Sequence, residues 1–196
     1  MEIAAQDSLK IGRTLAVDVS SASIEAFQSR KELQNPGMEL MQKNILDLMQ
    51  YPEYKGAFDL IVSYSVLHIV QGKTELKLDL IRYLAKPGAV IAVDALPNIL
   101  WNRFLFAVIR LLFKMRIAEF AIQILGPAVA PNCPKNYIRD LSKASCMMNF
   151  STENFLDLSC FKNADFLRDF EVLKFELVPQ DGPLTGRKAR FALRRK

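Results

Sequence analysis

Two rhythms of apolar and polar positions run along the chain. Short apolar runs rich in β-branched residues fall at residues 14–19 (TLAVDV), 58–62 (FDLIV) and 89–95 (AVIAVDA), and each reads as a strand. The run of Phe58, Leu60, Ile61 and Val62 suits a strand covered on both faces, as in a parallel sheet. Between the runs, apolar residues recur at helical spacing. Ile24, Phe27 and Leu33 mark a helix over 21–34, and Leu76, Leu80, Ile81 and Leu84 mark one over 74–85. Asn35-Pro36-Gly37, Gln71-Gly72 and Lys86-Pro87-Gly88 punctuate these elements, the last stopping the second helix. Residues 38–42 add a weak, short strand. Strand, helix, strand, loop, strand, helix, strand is the signature of a parallel sheet with helices on its faces.

Polar residues gather where these strands end, which is where open α/β sheets place their ligands. Ser63, Tyr64 and Ser65 follow the central run, and Asp18 closes the first strand. Ser20 or Ser21 can cap the next helix by accepting a free first-turn N–H. A carboxylate at Asp18 is placed to accept two hydroxyl hydrogen bonds from a ribose, or to serve as a second cap ligand. Asn44 can pair with the edge of a base, since an amide offers donor and acceptor, or can form an Asx turn.

The second half is less regular. Residues 99–125 form one long helix or a pair, with Arg103, Arg110 and Lys114 along one face and Trp101, Phe104, Leu105, Val108, Leu111, Leu112 and Met115 over most of the rest. Internal arginines argue against a spanning helix. Core or lid packing over a hydrophobic substrate, a dimer or partner surface, and a helix lying on a membrane surface all fit this pattern. Prolines at 127, 131 and 134 mark a loop around Cys133, and residues 136–145 and 152–161 read as short helices. Residues 170–178 and 187–193 read as a terminal hairpin around a loop rich in turn residues.

Composition narrows the class. With 196 residues and 51 % hydrophobic content, the chain is long and apolar enough for one folded domain. The charge of +5 is modest. Arg187, Lys188, Arg190, Arg194, Arg195 and Lys196 crowd the C-terminus, a set that reads as a solvated basic strand end or as a contact for phosphates or an anionic membrane. Nucleic acid is not an expected partner, because neither an RNA-recognition nor a helix-turn-helix pattern accompanies those charges. Three scattered cysteines signal neither a disulfide framework nor a CxxC zinc site, and a reducing cytoplasm fits best. No metal site is expected. The first ten residues show no basic start and no apolar run of a secretory signal.

The motifs VDVSSASIEAF, NILDL, FDLIVSYSVLHIV and LAKPGAVIAVD, in that order over residues 15–96, resemble those of the class I S-adenosylmethionine-dependent methyltransferases. The resemblance implies a Rossmann-like, mostly parallel sheet with helices on both faces, finished by an antiparallel hairpin. It implies S-adenosylmethionine as cofactor, with Asp18 on the ribose hydroxyls, Asn44 in place of the family's acid at the adenine amino group, and Ile45 beside it. Ser63, Tyr64 and Ser65 would border the methionine moiety. His68, if a base is needed, and Tyr64 are the catalytic candidates; His68 also reads simply as a helix residue at the cleft's edge.

One family element has no counterpart. Such enzymes open with a strand and a glycine-rich loop, and only Gly12 precedes Asp18 here. The family's first strand lies between its second and fourth, so residues near the N-terminus, or another chain, are expected to fill that slot, with the strands at 14–19 and 58–62 not paired directly. The expected organisation is a single domain: a cofactor-side core over 14–96, a helical variable region over 97–165, and the hairpin over 170–193. The expected function is methyl transfer to a small, hydrophobic acceptor. In that reading the chain is a shortened enzyme; the alternative is a catalytically inactive methyltransferase-like scaffold or a regulatory interaction protein.

Overall fold

The computed structural model describes residues 12–30, 37–64, 66, 67, 70–115, 117, 154–179 and 187–196. They divide into two units, one ending at Pro52 and one beginning at Glu53, and each holds its own sheet.

In the first unit, β1 (Thr14–Asp18) pairs in parallel with β2 (Met38–Gln42), from Thr14 opposite Met38 to Asp18 opposite Gln42. The approach to this ladder is tight. A Cβ at Gly37 would stand 2.2 Å from the carbonyl oxygen of Gly12, so only glycine fits there. Helix α1 (Ser21–Gln28) begins as the sequence suggests, with Ser20 Oγ accepting from the Ser23 N–H at 3.2 Å. It ends well before residue 34. Ser29 turns its hydroxyl back onto the carbonyl of Ala26 at 2.8 Å, a side-chain bond that competes with continued helix. Leu33 and the Asn35-Pro36 turn lie outside the described residues. After β2, a 3₁₀ turn spans Ile45–Gln50.

The second unit is built on a four-stranded sheet in the order β3-β4-β6-β5. Strand β3 (Phe58–Tyr64) runs parallel to β4 (Ala85–Ala95), while β6 (Arg187–Arg195) is antiparallel both to β4 and to β5 (Phe170–Pro179). The terminal hairpin is therefore as expected, with its last strand against the parallel pair. Helix α2 (Thr74–Leu84) matches the apolar spacing, and α3 (Leu100–Lys114) opens the long apolar stretch. The remainder of the expected 99–125 helix, apart from Met115 and Ile117, lies outside the described residues, as do the expected helix over 136–145, Cys133 and Cys146. A short α4 (Ala164–Asp169) precedes β5.

Three expectations are corrected. Strand β4 begins at Ala85 rather than Ala89: Ala85 already pairs with Phe58, and the register shifts before Leu60 meets Val90. Lys86-Pro87-Gly88 is the irregularity that absorbs the shift, with Gly88 in the left-handed region at φ 82°. Second, β3 is not covered on both faces. Ser63 is buried, but Leu60, Val62 and Tyr64, on the opposite face, are exposed. Third, 152–161 is not one helix. Leu156 forms a parallel bridge with Pro97, its N–H reaching the Leu96 carbonyl at 3.0 Å, and a 3₁₀ turn then spans Leu158–Lys162. Successive Phe155 and Leu156 are both fully buried, which extended backbone allows by pointing them to opposite sides.

The core lies on one face of this sheet. Ala89, Ile91, Val93, Phe191 and Leu193 meet Leu78 and Ile81 of α2 and Phe166 of α4. Phe161 stands edge-on to Phe166, Phe175 and Phe191, with ring centroids 5.0–5.3 Å apart.

One charge is buried at the edge of this packing. Lys77 of α2 donates its ammonium to the backbone carbonyl of Asn154, and burial pushes its pKa down to about 8 from 10.5. Between those two values the unfolded chain keeps a proton that the folded chain has lost, so this group adds stability as pH rises through the window. Below pH 8 its burial carries the full cost. Lys77→Met removes the effect, and the stability difference, variant minus wild type, is expected to fall by on the order of 1–2 kcal/mol between pH 7.5 and 10.5 after screening by water is allowed for. Urea midpoints across that range check this.

Candidate functional site

In the first unit, β1 delivers Asp18 to its carboxyl end with the side chain exposed. Its Oδ1 accepts the Ser20 N–H at 2.8 Å, which sets Ser20 up to cap α1. This is a local turn bond to the residue that caps the helix rather than to a first-turn N–H, and it uses one of about four lone-pair sites that a carboxylate carries. Hydroxyl donors can still be accepted. Asn44 likewise begins the 3₁₀ turn, its Oδ1 accepting the Leu46 N–H at 3.1 Å. This is the Asx-turn reading of Asn44, and it occupies one of the two lone pairs of the amide oxygen while leaving the NH₂ donors. Ile45 next to it is half-buried.

In the second unit, the end of β3 separates two of the candidates. Ser63 points toward the packed face and Tyr64 toward the open one, as strand alternation requires. Ser63 Oγ is buried and has no hydrogen-bond partner among the described residues. Buried hydroxyls are ordinarily paired, so this one has capacity for a donor or acceptor that the described residues do not supply. Ser65 and His68 lie outside the described residues.

Tyr64 belongs to a charged row that the sequence reading did not assemble. The ladder sets Tyr64 opposite Asp94, and Asp94 opposite Arg190. Asp94 is 4 % exposed and is held by two cations: Arg190 Nε donates to its Oδ2 at 3.2 Å, and Lys188 Nζ stands 3.5 Å from its Oδ1. Lys188 Nζ also lies 5.1 Å from the centre of the Tyr64 ring, a cation–π distance. The hydrogen bond that Arg190 donates to Asp94 holds its guanidinium more basic than an ordinary one. Lys188 is buried, so the reading of 187–196 as a solvated basic strand end fails there. It fails again at half-buried Arg195, whose guanidinium donates to the carbonyls of Arg82 and Ala85. The signal that could have assembled the row is the pattern itself: an acid closing one strand, and bases at alternate positions opening the strand that returns against it.

Cys160 is chemically quiet. It is half-buried, and burial, with the nearby charge of Asp157, pushes its thiol up to about 12. A thiol so rarely ionised is a poor nucleophile.

Comparison with known proteins bears on the fold. Residues 2–93 match the family model described as a methyltransferase domain. No curated protein matches the chain. Among solved structures, the C-methyltransferase domain of the citrinin polyketide synthase aligns over 98 % of this chain and 41 % of its own length, at 10 % identity and a TM-score of 0.55. A structure described as an S-adenosylmethionine-dependent methyltransferase from Listeria monocytogenes aligns over 94 % of this chain and 81 % of its own, at 9 % identity and a TM-score of 0.53. The N-methyltransferase NodS from Bradyrhizobium japonicum, solved with S-adenosylhomocysteine, aligns over 93 % and 66 % at 11 % identity, with a TM-score of 0.48. The chain thus spans about two thirds of NodS and less than half of the polyketide synthase chain. At these identities the likeness establishes the fold: α/β and Rossmann-like, with the antiparallel terminal hairpin.

Proposed function

We propose that this chain, whose residues 2–93 match the family model of a methyltransferase domain, transfers the methyl group of S-adenosylmethionine to a small, hydrophobic acceptor. The family match is the observation that carries this reading. When bound, the cofactor supplies an electrophilic methyl group on a sulfonium. Asp18 holds the ribose hydroxyls through the carboxylate sites that Ser20 leaves open, and Asn44 and Ile45 border the adenine. Ser63, Tyr64 and Ser65 border the methionine moiety, and His68 serves as base where the acceptor has a proton to lose. The exposed carboxylate of Asp18, with lone pairs left over from its bond to Ser20, fits the ribose hydroxyls of such a ligand. Most of the rate gain in this reading comes from orientation, with the acceptor held in line with the departing sulfur. The setting is cytoplasmic, in keeping with unpatterned cysteines.

A second reading, a scaffold that no longer transfers methyl groups, has one observation behind it: Asp18 and Asn44 each spend a side-chain oxygen on their own backbone. Asp18→Asn tests whether Asp18 serves the cofactor as well as its own backbone. The asparagine oxygen can still accept the Ser20 N–H, but the charge that strengthens bonds to ribose hydroxyls is gone. S-adenosylhomocysteine should bind about 10-fold more weakly to this variant, with an unchanged urea midpoint, since a charge-assisted hydrogen bond contributes about 1.5–3 kcal/mol. Equal affinity in variant and wild type removes Asp18 from the site.

A further inference from the structure

Helix α3 carries an apolar stripe with nothing folded over it among the described residues. Trp101, Phe104, Val108, Leu111 and Met115 recur at intervals of three and four and are 38–58 % exposed. At about 100° per residue they share one side of the helix. The rings of Trp101 and Phe104 lean together at 5.9 Å. The opposite side is the one tied down. Asn102 is 1 % exposed, donates to the carbonyls of Pro97 and Arg187 at 2.9 and 3.0 Å, and accepts the Arg187 N–H at 3.0 Å. It sits about 140° around the axis from the middle of the stripe. The helix is thus fixed by its back, and its apolar side is turned outward.

Charge decides what meets that side. Arg103, Arg110 and Lys114 are exposed along one flank of the stripe, and α3 contains no acid. A second copy of α3 would bring like charges against like. An anionic surface would be attracted along the whole helix. We propose that α3 docks lengthwise on an anionic lipid bilayer, with the Trp101–Met115 stripe in the boundary between headgroups and acyl chains and the basic flank on the headgroups. At 15 residues the helix is about 22 Å long, short of a bilayer's hydrocarbon core, and no described helix is long and apolar enough to cross a membrane. The mode is therefore peripheral. This inference stands apart from the cofactor reading.

Trp101 is the only tryptophan in the chain, so its emission reports the stripe directly. The full chain is titrated with vesicles of phosphatidylcholine alone and of phosphatidylcholine mixed equally with phosphatidylserine. The expected result is a blue shift of Trp101 emission and co-sedimentation with the mixed vesicles, with partitioning on the order of 100-fold tighter than to neutral ones, lost progressively as salt is raised. Arg110→Glu combined with Lys114→Glu should weaken that partitioning at least about 10-fold. Phe104→Ser should reduce the blue shift, and circular dichroism melts establish that both variants fold. Absence of partitioning to anionic vesicles at low salt, or equal partitioning to both kinds, overturns the proposal. A concentration-dependent dimer whose Trp101 emission is already shifted and does not respond to vesicles also overturns it, in favour of a second copy of the chain.

Discussion

Asp94→Ala is expected to lower the unfolding free energy by about 3 kcal/mol, because it leaves the buried ammonium of Lys188 without its carboxylate. The lost attraction is the smaller part of this. Lys188 is 8 % exposed and Arg190 is half in water, so Arg190 can rehydrate after the substitution while Lys188 cannot without moving its strand. The double variant Asp94→Ala with Lys188→Met removes the stranded charge as well. It should recover more than half of the loss, since exchanging a buried ion pair for apolar groups of similar size is often neutral. Urea midpoints of the wild type, both single variants and the double variant measure the coupling. Additive losses would show that the two side chains do not act as a pair.

The second large effect is expected at Asn102. Asn102→Ala deletes three hydrogen bonds, two of them to the backbone of Arg187 at the start of β6. Typical net values near 1 kcal/mol each, eased because exposed Arg187 can recruit water, give a loss of about 2 kcal/mol. Hydrogen exchange adds a local readout. Protection of the α3 amides should fall further than protection of β3 and β4, since among the described residues Asn102 ties the helix to the sheet. A uniform loss across the unit would contradict that role.

Periodicity made most of the second unit legible. The leucines and isoleucine of α2 and the apolar runs of β3 and β4 are local patterns, and local patterns survive into the structure. What escaped depends on distant partners. The Lys86-Pro87-Gly88 stretch looks like a stop, and only the pairing of Ala85 with Phe58 makes it part of a strand. Phe155 and Leu156 look like helix residues until the bridge to Pro97 draws them out. The same holds for the site. Asp18 and Asn44 announce themselves by standing at strand ends, and both are found there with the local bonds that their positions suggest. The grouping of Asp94, Lys188 and Arg190 joins residues more than 90 positions apart, and only the antiparallel register of β4 and β6 assembles it. A run of basic residues near a terminus therefore read as solvated, although Lys188 is buried.

Calorimetric titration of the full chain with S-adenosylhomocysteine tests the central claim most directly. A saturable heat with one site per chain, weakened about 10-fold in Asp18→Asn, is the expected result. No saturable heat on protein that circular dichroism shows to be folded would contradict the cofactor assignment and leave the scaffold reading in its place.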